Sequence, residues 1–572
     1  MISRRTFLGM AALAGARLQP GGASVEREWS GPILRARIVN RGTSPVRVDD
    51  VVIHEQPLTL PASTALYGEG FQMLTQTAGT LGAPQDLSQY TDAKHYRIPT
   101  RGDTRAYYGL LTLTPPAEST GGSHVFAFTS CARFSGRFEI AGATVRAVVD
   151  CEGLALAPGE SWPLEELFVA KGDRSALLDD VAARLAKHHA PLTSAKPPTG
   201  WCSWYCFGPN VTSQQVLENL DVIAKSMPML KYIQIDDGYQ RAMGDWLETG
   251  SAFGGSVRDV LAAIKKRGFE PAIWVAPFVA EEQSHLFQQH PDWFITDATG
   301  APLRSDRVTF GGWRHGPWYA IDGTHPGAQA HLERVFRTMR TEWGCTYFKL
   351  DANFWGAMHG GRFHDRRATR IEAYRRGMQA VLRGAGDGFL LGCNHPIWPS
   401  IGVVHGSRSS NDIKRTWDRI ATTARQNLSR NWQNGRLWWN DPDAVVLAGE
   451  LTDAECQFHA TAIYASGGMV LSGDDLTRIA PARAAMLRKL LPPTGVAATF
   501  PDSDLRVGVI NLPSGTMVCM FNWSDTPQTG LTHLRPVRGV SDFWTGEPVP
   551  HDGDRISLAL PPRTARLLTM TS

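Results

Sequence analysis

The stretch CTYFKLDANFWGAMHGG, Cys345 to Gly361, holds the residues best placed to do chemistry. Its first half, Thr346 to Leu350, is aromatic and apolar and reads as a short buried strand. Side chains two positions apart on a strand share a face, so Lys349 and Asp351 point the same way. Ionised groups are rarely buried without a partner or a task. Parallel barrels do their chemistry at the carboxyl ends of their strands, which makes Asp351 a candidate reactive carboxylate. A strand-end aspartate that caps the following helix is the plain structural alternative.

Further polar groups gather where other strands are expected to end. Asp236-Asp237-Gly238 closes the second, Lys349 and Asp351 the fourth, Cys393-Asn394-His395 the fifth. Arg408 and Asp412 surround the sixth, and Asn440-Asp441 closes the seventh. At one end of one barrel these groups would converge on a single pocket. Two carboxylates from separate strands suit glycoside hydrolysis, one as nucleophile and one as acid and then base. A nucleophilic carboxylate has to stay ionised, and Lys349 is placed to favour that for Asp351. The acid has to hold a proton near neutrality, in an apolar or carboxylate-rich setting. Asp412 is the candidate, with Asp236, Asp237 and Asp441 as rivals. A retaining pair would stand about 5–5.5 Å apart.

Competing chemistries find less support. The first strand, GWCSW, lacks the paired histidines that open many barrel metallohydrolases, and His359 and His364 are loosely spaced in a glycine-rich loop. No GxSxG elbow is present. Cys202 and Cys206 read more readily as small buried residues than as nucleophiles. No metal and no cofactor is assigned.

These side chains need a scaffold, and the rhythm from Gly200 onward supplies one. Eight strand candidates follow: 200–204, 232–237, 271–277, 347–351, 389–393, a weak one ending at 407–412, 436–441 and 467–473. Helical patterns such as SQQVLENLDVIAKS and TRIEAYRRGMQAVLRGAG lie between them. Eight such units fit a (β/α)8 TIM barrel, typically about 250 residues with insertions allowed. The longest insertion, Phe278 to Asp322, follows the third strand. A doubly wound open sheet is the rival, but no GxGxxG or P-loop follows the first strand.

Short alternating segments punctuated by Gly, Pro and Ser mark the N-terminal region as a β-sandwich. Within it LYGEGFQMLTQTAG, Leu66 to Gly79, is glycine-rich and reads as a loop reaching out of the sandwich. Five more strand patterns after Pro492 suggest a small C-terminal β-sandwich. The expected division is an export signal over 1–24, a sandwich over 25–190, the barrel over 191–490 and a second sandwich over 491–572.

The chain has 572 residues and a net charge of +3 without long charged runs, so nucleic acid is not an implied partner. Its 18 tryptophans suit aromatic pockets and sugar platforms, and many will be core. Arg4-Arg5 before a short apolar run resembles a twin-arginine export signal. The expectation is an exported bacterial protein, periplasmic or extracellular, with no membrane span. A small carbohydrate is the expected partner, and a homo-oligomer is left open. The eight cysteines show no zinc-like spacing. Cys131 and Cys151 could pair across neighbouring strands, but scattered buried thiols are the readier reading.

Seven motifs, in order, carry a family resemblance: GWCSWYCFG, YIQIDDGYQ, IWVAPFVAEEQSHLFQQHPDWFI, YFKLDANFWGAMHGGRFHDRRATRIEAYRRGM, LLGCNHPIWPSIGVVHGSRSSNDIKRTW, WWNDPDAVVL and SGGMVLSGDD. Together they resemble the α-galactosidases of glycoside hydrolase family 36, across most of residues 200–475. The resemblance implies a retaining α-galactosidase with Asp351 as nucleophile and Asp412 as acid/base. It further implies that Asp236 and Asp237 hold the sugar's O4 and O6. Lys349 and Arg408 would touch sugar hydroxyls, Trp204, Tyr205 and Trp274 would wall the pocket, and Cys393 would lie near the C2 substituent. Related possibilities are a galactosyl transferase of the raffinose-synthase type and a glycosidase for α-N-acetylgalactosamine or β-L-arabinopyranose. A catalytically silent sugar-binding module is the alternative from another class. The sequence departs from the family pattern in three places. Cys202 stands where the family often has Asn, GFQMLT (Phe71, Gln72, Met73) replaces a WQSW-like loop, and SRSSND surrounds the acid.

Overall fold

The computed structural model describes residues 22–100, 104–116, 122–192, 194–533 and 538–571. At its centre stand eight parallel strands: β1 (Thr199–Cys202), β2 (Tyr232–Ile235), β3 (Glu270–Val275), β4 (Tyr347–Leu350), β5 (Phe389–Gly392), β6 (Gly406–Arg408), β7 (Trp439–Asp441) and β8 (Val470–Ser472). From β1 to β7 each pairs with its sequence neighbour, and β8 pairs with β1. The ring is drawn together on its remaining side just past β7, where the Val445 N–H donates to Leu471 O at 2.7 Å and the Gly473 N–H to Val445 O at 2.9 Å. All eight expected strands are present. Most stop at their last apolar residue, so Asp236, Asp351 and Cys393 stand one step beyond the ladder, facing the barrel's carboxyl end. Inside the barrel, Cys202, Ala272, Tyr347, Phe389, Leu391, Met469 and Leu471 form a closed apolar layer.

The helices form where the periodicity predicts them. Ser213–Ser226 begins with a reciprocal capping box between Thr212 and Gln215, and Arg370–Ala385 with one between Thr369 and Glu372. Each such cap contributes roughly 1 kcal/mol. Their buried stripes, Val216, Leu220 and Ile223 in one and Ile371, Tyr374, Met378 and Val381 in the other, face the strands. One barrel helix is missing. Between β5 and β6 there is only the 3-10 turn Trp398–Ser400.

The N-terminal sandwich packs on that segment. It consists of a nine-stranded and a four-stranded antiparallel sheet. The expected loop over Leu66–Gly79 is instead a hairpin: Ala65–Glu69 pairs with Gln76–Thr80 and with Leu110–Thr114, leaving residues 70–75 as its tip. Both faces of its first strand are covered, so the alternation that would reveal a strand is absent. Gly68 lets the strand pass close to Tyr107, where a Cβ would sit 2.3 Å from the ring.

The C-terminal unit has the sheet Val507–Leu512, Gly515–Phe521, Ala565–Thr571 and Gly539–Asp542, beside the pair Gln528–His533 and Arg555–Leu560. One apolar core runs from the N-terminal sandwich through the barrel to Phe521 and Leu567. All eight cysteines are free thiols, Cys131 and Cys151 included. Most of the expected export signal lies outside the described residues, and the first strand begins at Ala23. Among the described residues no helix is long and apolar enough to cross a membrane.

Candidate active site

Asp351 follows β4 and is 8% exposed. Its Oδ2 accepts from the Trp274 indole at 3.1 Å, and its Oδ1 from Asn394 Nδ2 and the Ala352 N–H, both at 2.7 Å. Three donors from β3, the loop after β5 and the main chain thus fix one carboxylate. Trp274 is itself held edge-on by Trp246, with ring centroids 5.7 Å apart. Ala352 (φ +52°) and Asn394 (φ +41°) both adopt the left-handed region that L residues seldom occupy. Such strain persists only where the surroundings over-determine it, and it collects at functional sites.

Lys349 does not serve Asp351 as the sequence suggested. Its ammonium bonds Asp236 Oδ2 at 3.0 Å, across the barrel interior from β2. β2 and β4 are alternate strands on either side of β3, and alternate strands of such a barrel send side chains into the same interior layer. The same oxygen accepts from Gln234 Nε2 at 2.5 Å and from the Cys202 thiol at 3.3 Å, while Gln234 also donates to that sulfur at 3.2 Å. Cys202 therefore keeps a polar contact where an asparagine was expected. Burial works against the Lys349 charge, but Asp236 and the Cys202 thiol outweigh it and hold its pKa well above the ordinary lysine value.

Asp237 turns the other way. Its Oδ1 accepts from Gln240 Nε2 at 2.7 Å and from the Arg314 guanidinium, which descends from the long insertion after β3. Its Oδ2 is buried without a partner. Burial raises the Asp237 pKa, against the pull of Arg314 and Gln240.

Arg408, at the end of β6, is 2% exposed and meets three carboxylates: Asp412 Oδ1 at 2.9 Å, Asp441 Oδ2 at 3.2 Å and Asp443 Oδ1 at 2.9 Å. Burial disfavours its charge, and Asp443 first among its neighbours restores it, leaving the pKa well above normal. Asp443 also accepts from the Tyr205 hydroxyl, and burial pushes it up to about 6. Asp412 differs from Asp351: its side chain is 56% exposed and it pairs with the Arg408 guanidinium. Cys393 lies within electrostatic reach of both Asp351 and Asp412, which with burial raise its thiol pKa well above normal. Trp204 opens the short helix Trp204–Phe207, half-buried against the barrel's inner layer.

The structure thus brings all ten predicted residues to the carboxyl end of the barrel, with Tyr205 acting through Asp443. It adds Arg314, Gln234, Asn394 and Asp443. Gln234 was visible in principle, two positions before Asp236 on one strand face. Arg314 carries no pattern at all. Among the described residues one group has metal-ligand spacing, Asp245, Glu248 and His285. Asp245 in that group accepts from Arg241 and from the N–H groups of His285 and Leu286, and His285 pairs with Glu248 at 2.9 Å.

The Melibiase family model matches residues 217–381, which include Asp236, Asp237, Trp274, Lys349 and Asp351. A type A blood α-D-galactosamine galactosaminidase of Flavonifractor plautii is 31% identical over 154 residues, 26% of this chain and 14% of the relative. The match to the next curated relative covers 22% of that protein, so the likeness is to one segment of each. An α-galactosidase from Thermus thermophilus, solved with p-nitrophenyl α-D-galactopyranoside, superposes with a TM-score of 0.65 at 22% identity, covering 85% of this chain and 95% of that one. A family 36 α-galactosidase from Geobacillus stearothermophilus, solved with 1-deoxygalactonojirimycin, gives 0.64 at 13% identity, covering 96% and 82%. Residues 217–381 of the barrel region thus resemble the Melibiase family, and the chain shares its three-part fold with that family 36 α-galactosidase.

Proposed function

We propose that the protein is a retaining exo-glycosidase that removes terminal α-D-galactosyl residues from oligosaccharides or glycoconjugates. The observation that carries this reading is the contrast between two carboxylates at the carboxyl end of one barrel, both within electrostatic reach of Cys393. Asp351 is buried and fixed by three donors, whereas Asp412 is half open to solvent on the Arg408 guanidinium. The first suits a nucleophile, the second a group that exchanges protons with a leaving oxygen and then with water.

In the first step an Asp351 oxygen attacks the anomeric carbon while Asp412 protonates the departing oxygen. A covalent glycosyl ester forms and the aglycone leaves. In the second step Asp412 takes a proton from a water that attacks the same carbon, releasing the sugar and restoring Asp351. Asp236 and Asp237 accept hydroxyl hydrogen bonds from the sugar's O4 and O6. The unpartnered Oδ2 of Asp237 is an acceptor suited to such a hydroxyl. A sugar that leaves this buried acceptor unpaired is rejected strongly, by about 10^4-fold in comparable sites. The likeness to an α-D-galactosamine galactosaminidase makes a C2-substituted galactoside the second sugar to test, and α-N-acetylgalactosaminide is one such sugar.

The test is a panel of nitrophenyl glycosides: α-galactoside, α-N-acetylgalactosaminide, α-glucoside and β-L-arabinopyranoside. Proton NMR should identify the first-formed anomer. The expectation is turnover of the α-galactoside, α-galactose released first, and near-complete loss in Asp351→Ala. Release of β-galactose first would sink the retaining mechanism, and wild-type rates in Asp351→Ala would sink the nucleophile. Galactosyl transfer to added sucrose in excess of hydrolysis would mark a transferase.

A further inference from the structure

The hairpin tip, residues 70–75, meets the barrel at the helix-free segment after β5. Asp92 shapes it, accepting from the N–H groups of Phe71 (2.6 Å) and Gln72 (3.1 Å) and from the Thr75 hydroxyl (3.1 Å). Main-chain bonds fasten it down: the Met73 N–H donates to His395 O at 3.0 Å and the Ile397 N–H to Phe71 O at 2.9 Å. Gln72 is fully buried between them. Its Oε1 accepts from the Leu74 N–H at 2.5 Å, which leaves Nε2 as the end that faces the barrel. Nε2 donates to Asn394 Oδ1 at 3.1 Å, and Asn394 Nδ2 donates to Asp351 Oδ1 at 2.7 Å.

A backbone N–H can only donate, and an amide engaged at one end has its other end assigned. The polarity of Leu74 N–H is therefore passed through two carboxamides to the carboxylate. We propose that Gln72, from the N-terminal sandwich, is a positioning residue for Asp351: it orients the Asn394 amide so that a donor, not an acceptor, faces the nucleophile. This rests on the reading of Asp351 as the nucleophile. It also gives the sandwich a task in the reaction, since the hairpin tip supplies the donor that holds Asn394 Oδ1 away from the carboxylate.

Gln72→Glu and Gln72→Met separate orientation from packing. In Gln72→Glu one oxygen keeps the Leu74 N–H and the other offers an acceptor to Asn394. The amide then has acceptors on both sides and no single preferred orientation, so Asn394 Oδ1 meets Asp351 in part of the population. The expected result is a kcat loss of about 10–100-fold with KM within a few-fold of wild type. The acid limb of kcat/KM should move up by about one pH unit, because a carboxylate has lost a donor and gained an acceptor. Gln72→Met, which cannot repel, should move the limb the same way by less, and it keeps the test open if Gln72→Glu does not fold. A second readout needs no substrate: the 13C carboxyl resonance of Asp351, identified by its loss in Asp351→Asn, should titrate at higher pH in Gln72→Glu. Equal losses in both variants, with limb and resonance unmoved, would reduce Gln72 to packing and overturn the proposal. If no glycoside is turned over but the resonance moves, the galactosidase reading falls and the positioning role stands.

Discussion

Asp443 is the residue whose charge decides how Arg408 is held. It sits at φ +74°, in the left-handed region, and accepts from the N–H groups of Ile413 (2.6 Å) and Ala444 (2.7 Å) as well as from Arg408 and Tyr205. Burial raises its pKa to about 6, with Arg408 pulling down and Asp412 and Asp441 pushing up. Between pH 5 and 7 it therefore gains a negative charge against Arg408. A hydrogen bond to a charged group is worth about 1.5–3 kcal/mol, or roughly 10–150-fold in rate if it is felt in the transition state. Asp443→Asn should accordingly lower kcat/KM by about that factor at pH 7 and by clearly less at pH 5, where the wild-type carboxyl is already protonated. A wild-type to variant ratio that stays constant over this range would refute the coupling. Asp351 could be picked out beforehand because a carboxylate just past an apolar strand advertises itself, whereas Asp412, four residues past the short strand Gly406–Arg408, has no such run before it. The partner of Lys349 could not, because Asp236 lies 113 residues away and adjacency across a barrel interior is not written in local order. The same holds for Arg314 on Asp237 and for Gln72 on Asn394, at separations of 77 and 322 residues.

The element that sequence patterning misread is the hairpin of Ala65–Glu69 and Gln76–Thr80. Strands were recognised wherever one face was wet and one dry, as in Ile33–Asn40 and Thr144–Leu156. This hairpin has no wet face at its tip, so its glycines and polar residues looked like a loop. Equally, the helix missing after β5 gave no signal, because its place is taken by contacts from another domain. Asp92 tests the hairpin as an element. Its carboxyl is raised to about 6, chiefly by burial, against the pull of the donors at Phe71, Gln72 and Thr75. A folded pKa above the unfolded one near 3.9 means the folded state binds the proton more tightly. Stability from this group is complete below about pH 4 and is lost as pH rises through about 6. In Asp92→Asn that loss disappears. The melting temperature of Asp92→Asn minus that of wild type should therefore climb between pH 4 and pH 6.5, whatever its value at either end. A flat or falling difference would show that Asp92 is not the group responsible. The hairpin also bears on activity, so a mutant that loosens the tip is expected to lose kcat in parallel.

At the scale of the whole molecule, the question is what makes a sandwich and a barrel behave as one body. The apolar core is continuous across their boundary, but apolar contacts alone do not fix register. The buried pair Glu69 and Arg430 does, with both side chains fully enclosed. Arg430 Nε and Nη2 grip the two carboxylate oxygens, the latter at 2.5 Å, and Nη1 donates to Met73 O at 2.7 Å and Ser409 O at 3.0 Å. Tyr67 and Gln433 satisfy the remaining acceptor sites of Glu69 at 2.7 and 3.1 Å. One guanidinium thus joins the hairpin strand, the hairpin tip and the loop after β6 that leads to Asp412. Taking two ions out of water costs several kcal/mol each, so the pair stabilises the fold only because every donor and acceptor is met. Removing one member leaves the other charge stranded, which typically costs about 3–5 kcal/mol. Glu69→Ala should show that loss as a lower denaturation midpoint, compared at one fixed heating rate. It should also reduce kcat, because Arg430 loses the carboxylate that aims its Nη1 at Met73 O and Ser409 O, the contacts that set the tip beside Asn394 and Asp412 beside Arg408. The double variant Glu69→Leu/Arg430→Met removes both charges and should recover most of the stability, since an apolar pair of similar volume often equals a buried ion pair. It should not recover kcat, because the two carbonyls then lack their donor. Recovery of both together would mean the pair serves stability alone, and recovery of neither would mean the boundary is held by shape rather than by charge.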